Sequence, residues 1–305
     1  MSGFVLLPIA AILVWIPTAV FWPYFAGIVI TVIGLYVAKG DFNAARGPDK
    51  IVALGPTFFA MPMAVFGAQH FTEGKFIVKM IPEYMPGAWF WTSLVGVALL
   101  SAALSMVTRK QAGLAATLLA VMLFLFVLML HIPRVVGKPD DRIGWAVAFR
   151  DLAFSCGALA FAETQWQTWR TNGNSALLAI PRVCIAITTL FFGVEQLLHP
   201  EYVSGVPLEK LTPEWIPGHK LLAYLAGVIF VVAGAFLIAN RHTRLAATCV
   251  GAIVLVLMIF VYLPILGASP ADIDNGLDYF ADTLAFAGAA LLLAGAMPRE
   301  TYGHI

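Results

Sequence analysis

The sequence predicts an all-α integral membrane protein made of two tandem four-helix transmembrane bundles in parallel orientation, preceded by one or two N-terminal membrane helices. Hydrophobic residues fill 61% of the 305 positions and charged residues 11%, whereas soluble domains average about 25% charged residues. Long apolar segments recur along the chain, and one stretch of sequence is repeated. The net charge of +1 indicates neither a nucleic-acid partner nor a polybasic lipid-binding tail.

A helical span needs about 20 mostly apolar residues, and eight segments qualify. They lie near residues 51–71, 87–107, 112–133, 144–163, 177–198, 218–239, 245–265 and 279–297. Upstream, the apolar run 4–38 is too long for one upright span, and Pro17 and Pro23 are potential break points. This run is either one long kinked helix or two short ones, and we expect it to be retained because no basic residue precedes it.

The short loops predict an orientation through their basic residues. These residues are Lys39, Arg46 and Lys50 before the first of the eight segments, Arg109 and Lys110 after the second, and Arg241 and Arg244 after the sixth. We expect these loops to be cytoplasmic. The opposite loops carry both acidic and basic residues, which weakens the contrast between the two sides.

The repeat is introduced by the phrase IPEYMPG at residues 81–87, which returns as TPEWIPG at residues 212–218. Aligned without a gap at an offset of 131, residues 82–135 and 213–266 are identical at 13 of 54 positions. The matched prolines and glycines begin helices, where proline is tolerated. We therefore divide the chain into an N-terminal segment (1–47), a first unit (48–165) and a second unit (176–298).

Ionisable residues within spans are costly and tend to face protein or water, and here they form one layer in each unit toward the non-cytoplasmic end. The first unit supplies His70, His131, Arg134, Arg150 and Asp151, and the second supplies Glu195, His199, Tyr262 and Asp282. In the alignment Tyr262 stands in place of His131, and Asp282 repeats Asp151. The bases of the first layer and the acids of the second could pair within or between units.

Each of these side chains has a structural interpretation beside the functional one. His70 is either a proton-transfer group or an interfacial helix-end histidine bonded to a loop carbonyl, and Arg134 either binds an anion or extends to the membrane edge. Asp151 is either functional or an ion-pair partner of Arg150. Glu195 and His199 share a helix face, but no further ligands suggest a metal.

Three segments resemble the DoxX family of small four-helix bacterial membrane proteins. They are Gly67-Ala-Gln-His-Phe71, the phrase IPEYMPG, and Leu130-His-Ile-Pro-Arg-Val135. The resemblance covers about residues 50–297, with the second unit as a diverged copy that lacks the histidines. The family is named for a subunit of a thiosulfate:quinone oxidoreductase, so the resemblance implies membrane redox chemistry with quinone, in a bacterial inner membrane.

Two hypotheses follow for the function. In the first, the protein is a quinone-associated redox subunit in which His70 or His131 supplies a proton, Arg134 polarises a quinone oxygen and Asp151 orients the basic group. Its electrons would come from a soluble or membrane partner, since the sequence has no dinucleotide fingerprint and no iron–sulfur cysteine set. In the second, it is a non-catalytic membrane scaffold or cargo- and lipid-handling protein. Transport through a cleft between the units ranks third.

Overall fold

The computed structural model describes residues 18–166 and 175–299. This part of the chain is helical and contains no β-strand. Its long helices are α1 (Thr18–Ala44), α2 (Gly55–Thr72), α3 (Ala88–Thr108), α4 (Ala112–Gly137), α5 (Arg142–Gln165), α6 (Ser175–Leu198), α7 (His219–Ile238), α8 (Thr243–Ala268) and α9 (Ile273–Ala296). Short helices at Asp49–Ala53 and Gly74–Ile77 flank α2. The chain is therefore an all-α integral membrane protein, since eight of these helices are long and apolar enough to span a membrane.

Helix α2 is the one long helix of the described residues that does not belong to the eight apolar spans. The sequence predicted a span at 51–71, but a break near Leu54 shortens the helix, and Gln69 and His70 lower its hydropathy. It is instead largely buried against α1, α3 and α9. An inner helix can be less apolar because its neighbours, rather than lipid, surround it.

Helix α1 supplies the eighth apolar span, within residues Val20–Ala44. Pro23 lies inside this helix, where a proline removes one backbone hydrogen bond. Residues 4–17 and Pro17 lie outside the described residues, so the choice between one kinked helix and two short ones remains a prediction.

Local structure recurs between the halves at the offset predicted from the sequence. A π-helical turn interrupts α4 at Val127–His131, and another interrupts α8 at Met258–Tyr262. Each is followed by a proline, which cannot donate the usual helical hydrogen bond. Gly87 and Gly218, which precede α3 and α7, both have positive φ, +75° and +69°.

Close helix contacts recur as well. A Cβ added at Gly67 would lie 3.1 Å from the carbonyl oxygen of Gly96, and one added at Gly193 would lie 3.0 Å from that of Gly227. Small residues allow membrane helices to approach in this way. These equivalences support the tandem duplication, which remains an inference from the repeat.

The centre of the molecule is formed by α5 and α9, the last helix of each unit. Helix α5 packs against α4, α6 and α9, and α9 packs against α2, α5 and α8. The contact between α5 and α9 needs glycine, because a Cβ at Gly157 would meet Ala289 at 2.6 Å. The contact between α9 and α2 needs it too, because a Cβ at Gly288 would meet the backbone of Phe59 at 2.5 Å. The polar residues of α5 and α9 are therefore held close together.

Candidate functional site

Two of the loops predicted to be cytoplasmic contact the last turn of α1 and the short helix that follows it, at one end of the bundle. Arg109, after α3, pairs with Asp41, and Arg244, at the start of α8, pairs with Asp49 at 2.7 Å. The predicted polar layers lie near the opposite ends of α4, α5 and α9. The basic loops and the predicted polar layer thus lie at different levels along the helices.

Four side chains of the polar layer form one hydrogen-bonded chain across α4, α5 and α9. His131 Nε2 lies 2.7 Å from Asp151 Oδ2, and Arg150 Nε lies 2.8 Å from Asp151 Oδ1. Arg150 Nη1 lies 2.5 Å from Asp282 Oδ2. All four are mostly buried, with side chains 8% to 17% exposed. We call this set the His131–Asp282 chain.

The charges of this chain do not balance unless a proton is bound. Arg150 is a fixed cation, and Asp151 and Asp282 are two acids, so the set carries a net charge of −1 when His131 is neutral. A buried uncompensated charge is costly, and Asp278 on α9 adds a further acid that acts on Arg150.

In the second unit, a loop covers Tyr262, the residue that corresponds to His131. Residues 203–208 between α6 and α7, which we call the plug, are all buried. Tyr262 Oη donates to the Ser204 carbonyl at 2.8 Å, and Gly205 N donates to Gln196 Oε1 at 2.7 Å. Arg142, from the first unit, donates to the carbonyls of Pro207 and Leu208.

The first unit has no such plug. Its loop between α2 and α3 is about five residues shorter, and of residues 73–87 only Gly74 is buried. The side chain of His131 is 15% exposed, whereas its counterpart Tyr262 is 1% exposed. Among the described residues, Nδ1 of His131 has no hydrogen-bond partner. This nitrogen is available to a ligand.

Two of the first unit's predicted residues, His70 and Arg134, do not belong to the His131–Asp282 chain. His70 Nδ1 bonds at 2.8 Å to the carbonyl of Phe66, four residues earlier in the same helix, and not to a loop carbonyl. Arg134 pairs with Asp141 at the start of α5. There the carboxylate of Asp141 accepts from the Gly144 backbone N–H, which, together with Arg134, holds its pKa below the usual range.

Glu195 and His199, two of the predicted second-unit residues, also lie outside the His131–Asp282 chain. Glu195 pairs with Arg142 at 2.9 Å, and His199 pairs with Glu201 at 3.3 Å, so these two residues of one helix face have separate partners. Within the described residues no cluster of three metal-ligating side chains is present.

Sequence reasoning missed two contacts that join the units. Gln69 Nε2 lies 2.5 Å from Asp278 Oδ1, and Arg142 joins α5 to both Glu195 and the plug. A signal for the first was present, because alignment of Phe66-Gly67 with Phe192-Gly193 makes Gln69 the counterpart of Glu195. Each of these two residues reaches the last helix of the other unit.

Comparison with known proteins gives one finding that bears on this geometry. Residues 177–263 match the family model DoxX, a range that runs from α6 through the plug and α7 into α8. No curated protein matches the chain, and no solved structure does. The sequence resemblance rested mainly on motifs of the first unit, and the match lies in the second. The chain therefore contains a DoxX domain, at residues 177–263.

Proposed function

We propose that this DoxX-domain membrane protein is a quinone-associated redox subunit, and that its first unit binds a quinone head group beside His131. One observation carries the proposal: His131, at one end of the His131–Asp282 chain, has a partly exposed imidazole, whereas the plug covers the corresponding Tyr262. A buried acid–base chain that ends at an accessible imidazole suits proton exchange with a ligand. The proposed site lies toward the non-cytoplasmic boundary, in a bacterial inner membrane.

The chemistry assigned to His131 follows from its two nitrogens. Protonated His131 donates Nε2–H to Asp151 and presents Nδ1–H to a quinone oxygen. Reduction of a quinone to a quinol takes up two electrons and two protons, one on each oxygen. His131 supplies the proton to the oxygen it faces, and water supplies the proton to the other oxygen. Asp151 and Arg150 orient the imidazole and compensate its charge. The two electrons come from a redox partner, which is a separate protein.

This assignment revises the roles expected from the sequence. His131 keeps the proton-transfer role, and Asp151 keeps the orienting role. His70, bonded to Phe66, and Arg134, bonded to Asp141, are not assigned to the head group. Arg150 and Asp282 enter as charge-balancing members of the chain.

The second candidate function, a non-catalytic scaffold or lipid-handling protein, is favoured by a different observation. Arg150 with Asp282, Gln69 with Asp278, and Arg142 with Glu195 all join the two units. In that case the polar layer serves only to fix the helices relative to one another.

The experiment compares quinone retention by the purified full-length protein and its variants. Quinone is extracted and quantified by mass spectrometry for the wild type, His131→Asn and the matched second-unit variant Tyr262→Phe, with thermal unfolding measured on the same samples. We expect His131→Asn to lose quinone while its unfolding transition persists, and Tyr262→Phe to retain it. His70→Ala and Arg134→Ala should also retain it.

Two outcomes would contradict the proposal. One is a wild-type protein that neither retains nor takes up added quinone. The other is a His131→Asn variant that binds quinone as well as the wild type does. Either outcome, with variants of the inter-unit pairs losing stability alone, would favour the scaffold.

A further inference from the structure

A cavity lies at the opposite end of the bundle from the His131–Asp282 chain. It has a volume of about 590 Å³ and is lined by α1, the segment between α1 and α2, the start of α2, and the ends of α3, α5, α8 and α9. Small-molecule sites commonly have this size. Apolar side chains form part of its wall, among them Val52, Met106, Phe161 and Leu291. We call it the basic cavity.

Among the described residues, the charged side chains that line the basic cavity carry a net charge of +1. Its cations are Arg109, Arg244 and Arg299, and its acids are Asp41 and Asp49. Asp41 pairs with Arg109, and the single carboxylate of Asp49 is shared by Arg244 at 2.7 Å and Arg299 at 3.4 Å. One guanidinium charge therefore has no carboxylate of its own within the lining.

The repeat shows that these charges are not required by the architecture of a unit. Arg244 aligns with Gly113, and Arg109 aligns with Asn240, at the same offset of 131. The outer wall is built by α1 and by Asp41 and Asp49, which precede the first unit's long helices. The cavity is thus lined by charged residues that are not repeated in the other unit.

We propose that the basic cavity binds the phosphodiester head group of an anionic phospholipid. A phosphodiester carries one negative charge, which balances the +1 of the lining. Its oxygens are tetrahedrally arranged and can meet guanidinium groups that approach from α3, α8 and the segment after α9, which suits phosphate better than a planar carboxylate. The apolar wall provides a surface for the adjoining part of the lipid. This site is independent of the proposed quinone site.

The test uses the full-length protein in detergent, with phosphatidylglycerol as the probe. Binding is followed by the rise in unfolding temperature and by retained lipid in native mass spectrometry. Phosphatidylcholine, oleate and inorganic phosphate are the comparison ligands. We expect phosphatidylglycerol to bind most tightly, because phosphatidylcholine adds a cation, oleate has a carboxylate and inorganic phosphate has no apolar part.

Variants of the lining give opposite expected effects. Arg109→Gln and Arg299→Gln should each weaken phosphatidylglycerol binding about tenfold, since each removes a charge-assisted contact. Asp41→Asn should strengthen binding, because it raises the net charge of the lining. Arg182→Gln is the matched control: Arg182 donates to the carbonyls of Leu237 and Ile238 at the end of α7 but does not line the cavity.

The proposal would be overturned by equal binding of phosphatidylcholine or oleate, or by Arg109→Gln and Arg299→Gln binding phosphatidylglycerol like the wild type. If inorganic phosphate alone stabilises the protein as much as phosphatidylglycerol does, the site is one for a soluble anion, and the assignment to a lipid is wrong. Equal weakening by Arg182→Gln would show that the effect reflects helix capping, and would also contradict the proposal.

Discussion

Arg150 and Asp282 form an ion pair between the two units, with Nη1 of the arginine 2.5 Å from Oδ2 of the aspartate. The same guanidinium donates through Nε to Asp151, the residue that aligns with Asp282 in the repeat. One arginine thus lies between two repeat-related acids, one from each half of the chain. The first half alone supplies this cation, because the counterpart of Arg150 is Ala281.

Arg150→Met should destabilise the protein by about 3–5 kcal/mol, because it leaves two mostly buried carboxylates without their cation. The free energy of unfolding, measured in detergent with a chemical denaturant, checks this value. The double variant Arg150→Met/Asp282→Leu should recover part of the loss, since it removes one unpaired acid. A single variant that unfolds like the wild type would show that the carboxylates do not depend on Arg150.

Gly288→Ala should destabilise the contact between α9 and α2. The added Cβ would lie 2.5 Å from the backbone nitrogen of Phe59, and a backbone atom cannot move aside as a side chain can. We expect a loss of about 1–3 kcal/mol, typical of overpacking. Gly40→Ala is the matched control, because a Cβ there meets nothing within 4 Å and alanine favours helix by about 0.5–1 kcal/mol. A loss of stability in both variants would contradict this explanation.

The helices and their register were predictable because they depend on local chemistry. Apolar length defines a span, and the prolines and glycines of the repeated phrase mark where α3 and α7 begin. The same register identified Tyr262 as the counterpart of His131 and Asp282 as that of Asp151. These assignments need only the sequence and its offset.

The partners of the charged residues could not be predicted in the same way. Arg134, Arg142 and Arg150 lie close together in the sequence, and the structure gives them three different environments: the start of α5, the plug and the centre of the bundle. Which face of a helix meets which neighbour depends on packing between distant segments. The plug was missed for this reason, because residues 203–208 have the composition of an ordinary loop and are buried by contacts from α5, α6, α8 and α9.

Asp141 should make the stability of the folded protein depend on pH in the acid range. The Gly144 backbone N–H and the Arg134 guanidinium hold its pKa below the usual range, so the folded protein favours its charged form. This stabilisation is complete above about pH 4, near the ordinary pKa of an aspartate, and is lost as the pH falls through the lower pKa of the folded state.

The unfolding temperature of Asp141→Asn should therefore lie below that of the wild type at pH 7, and the difference should shrink as the pH falls below about 4. Asp140→Asn, a change at the exposed neighbouring residue, controls for the removal of a charge from this loop. A difference that stays constant with pH, or one that Asp140→Asn reproduces, would show that the titration of Asp141 is not responsible.

Tyr262→Phe should loosen the plug without unfolding the second unit. The hydroxyl of this fully buried tyrosine donates to the Ser204 carbonyl, and its removal leaves that carbonyl without its partner at a cost of about 1–3 kcal/mol. Amide hydrogen exchange should then accelerate at residues 203–208, including the Gly205 N–H that bonds to Gln196. Tyr84→Phe, at an exposed aromatic of the first unit's loop, should leave this exchange unchanged. If exchange at the plug is as slow in Tyr262→Phe as in the wild type, the plug is held by Arg142 and Gln196 alone, and the difference between Tyr262 and His131 cannot explain why only one unit is closed.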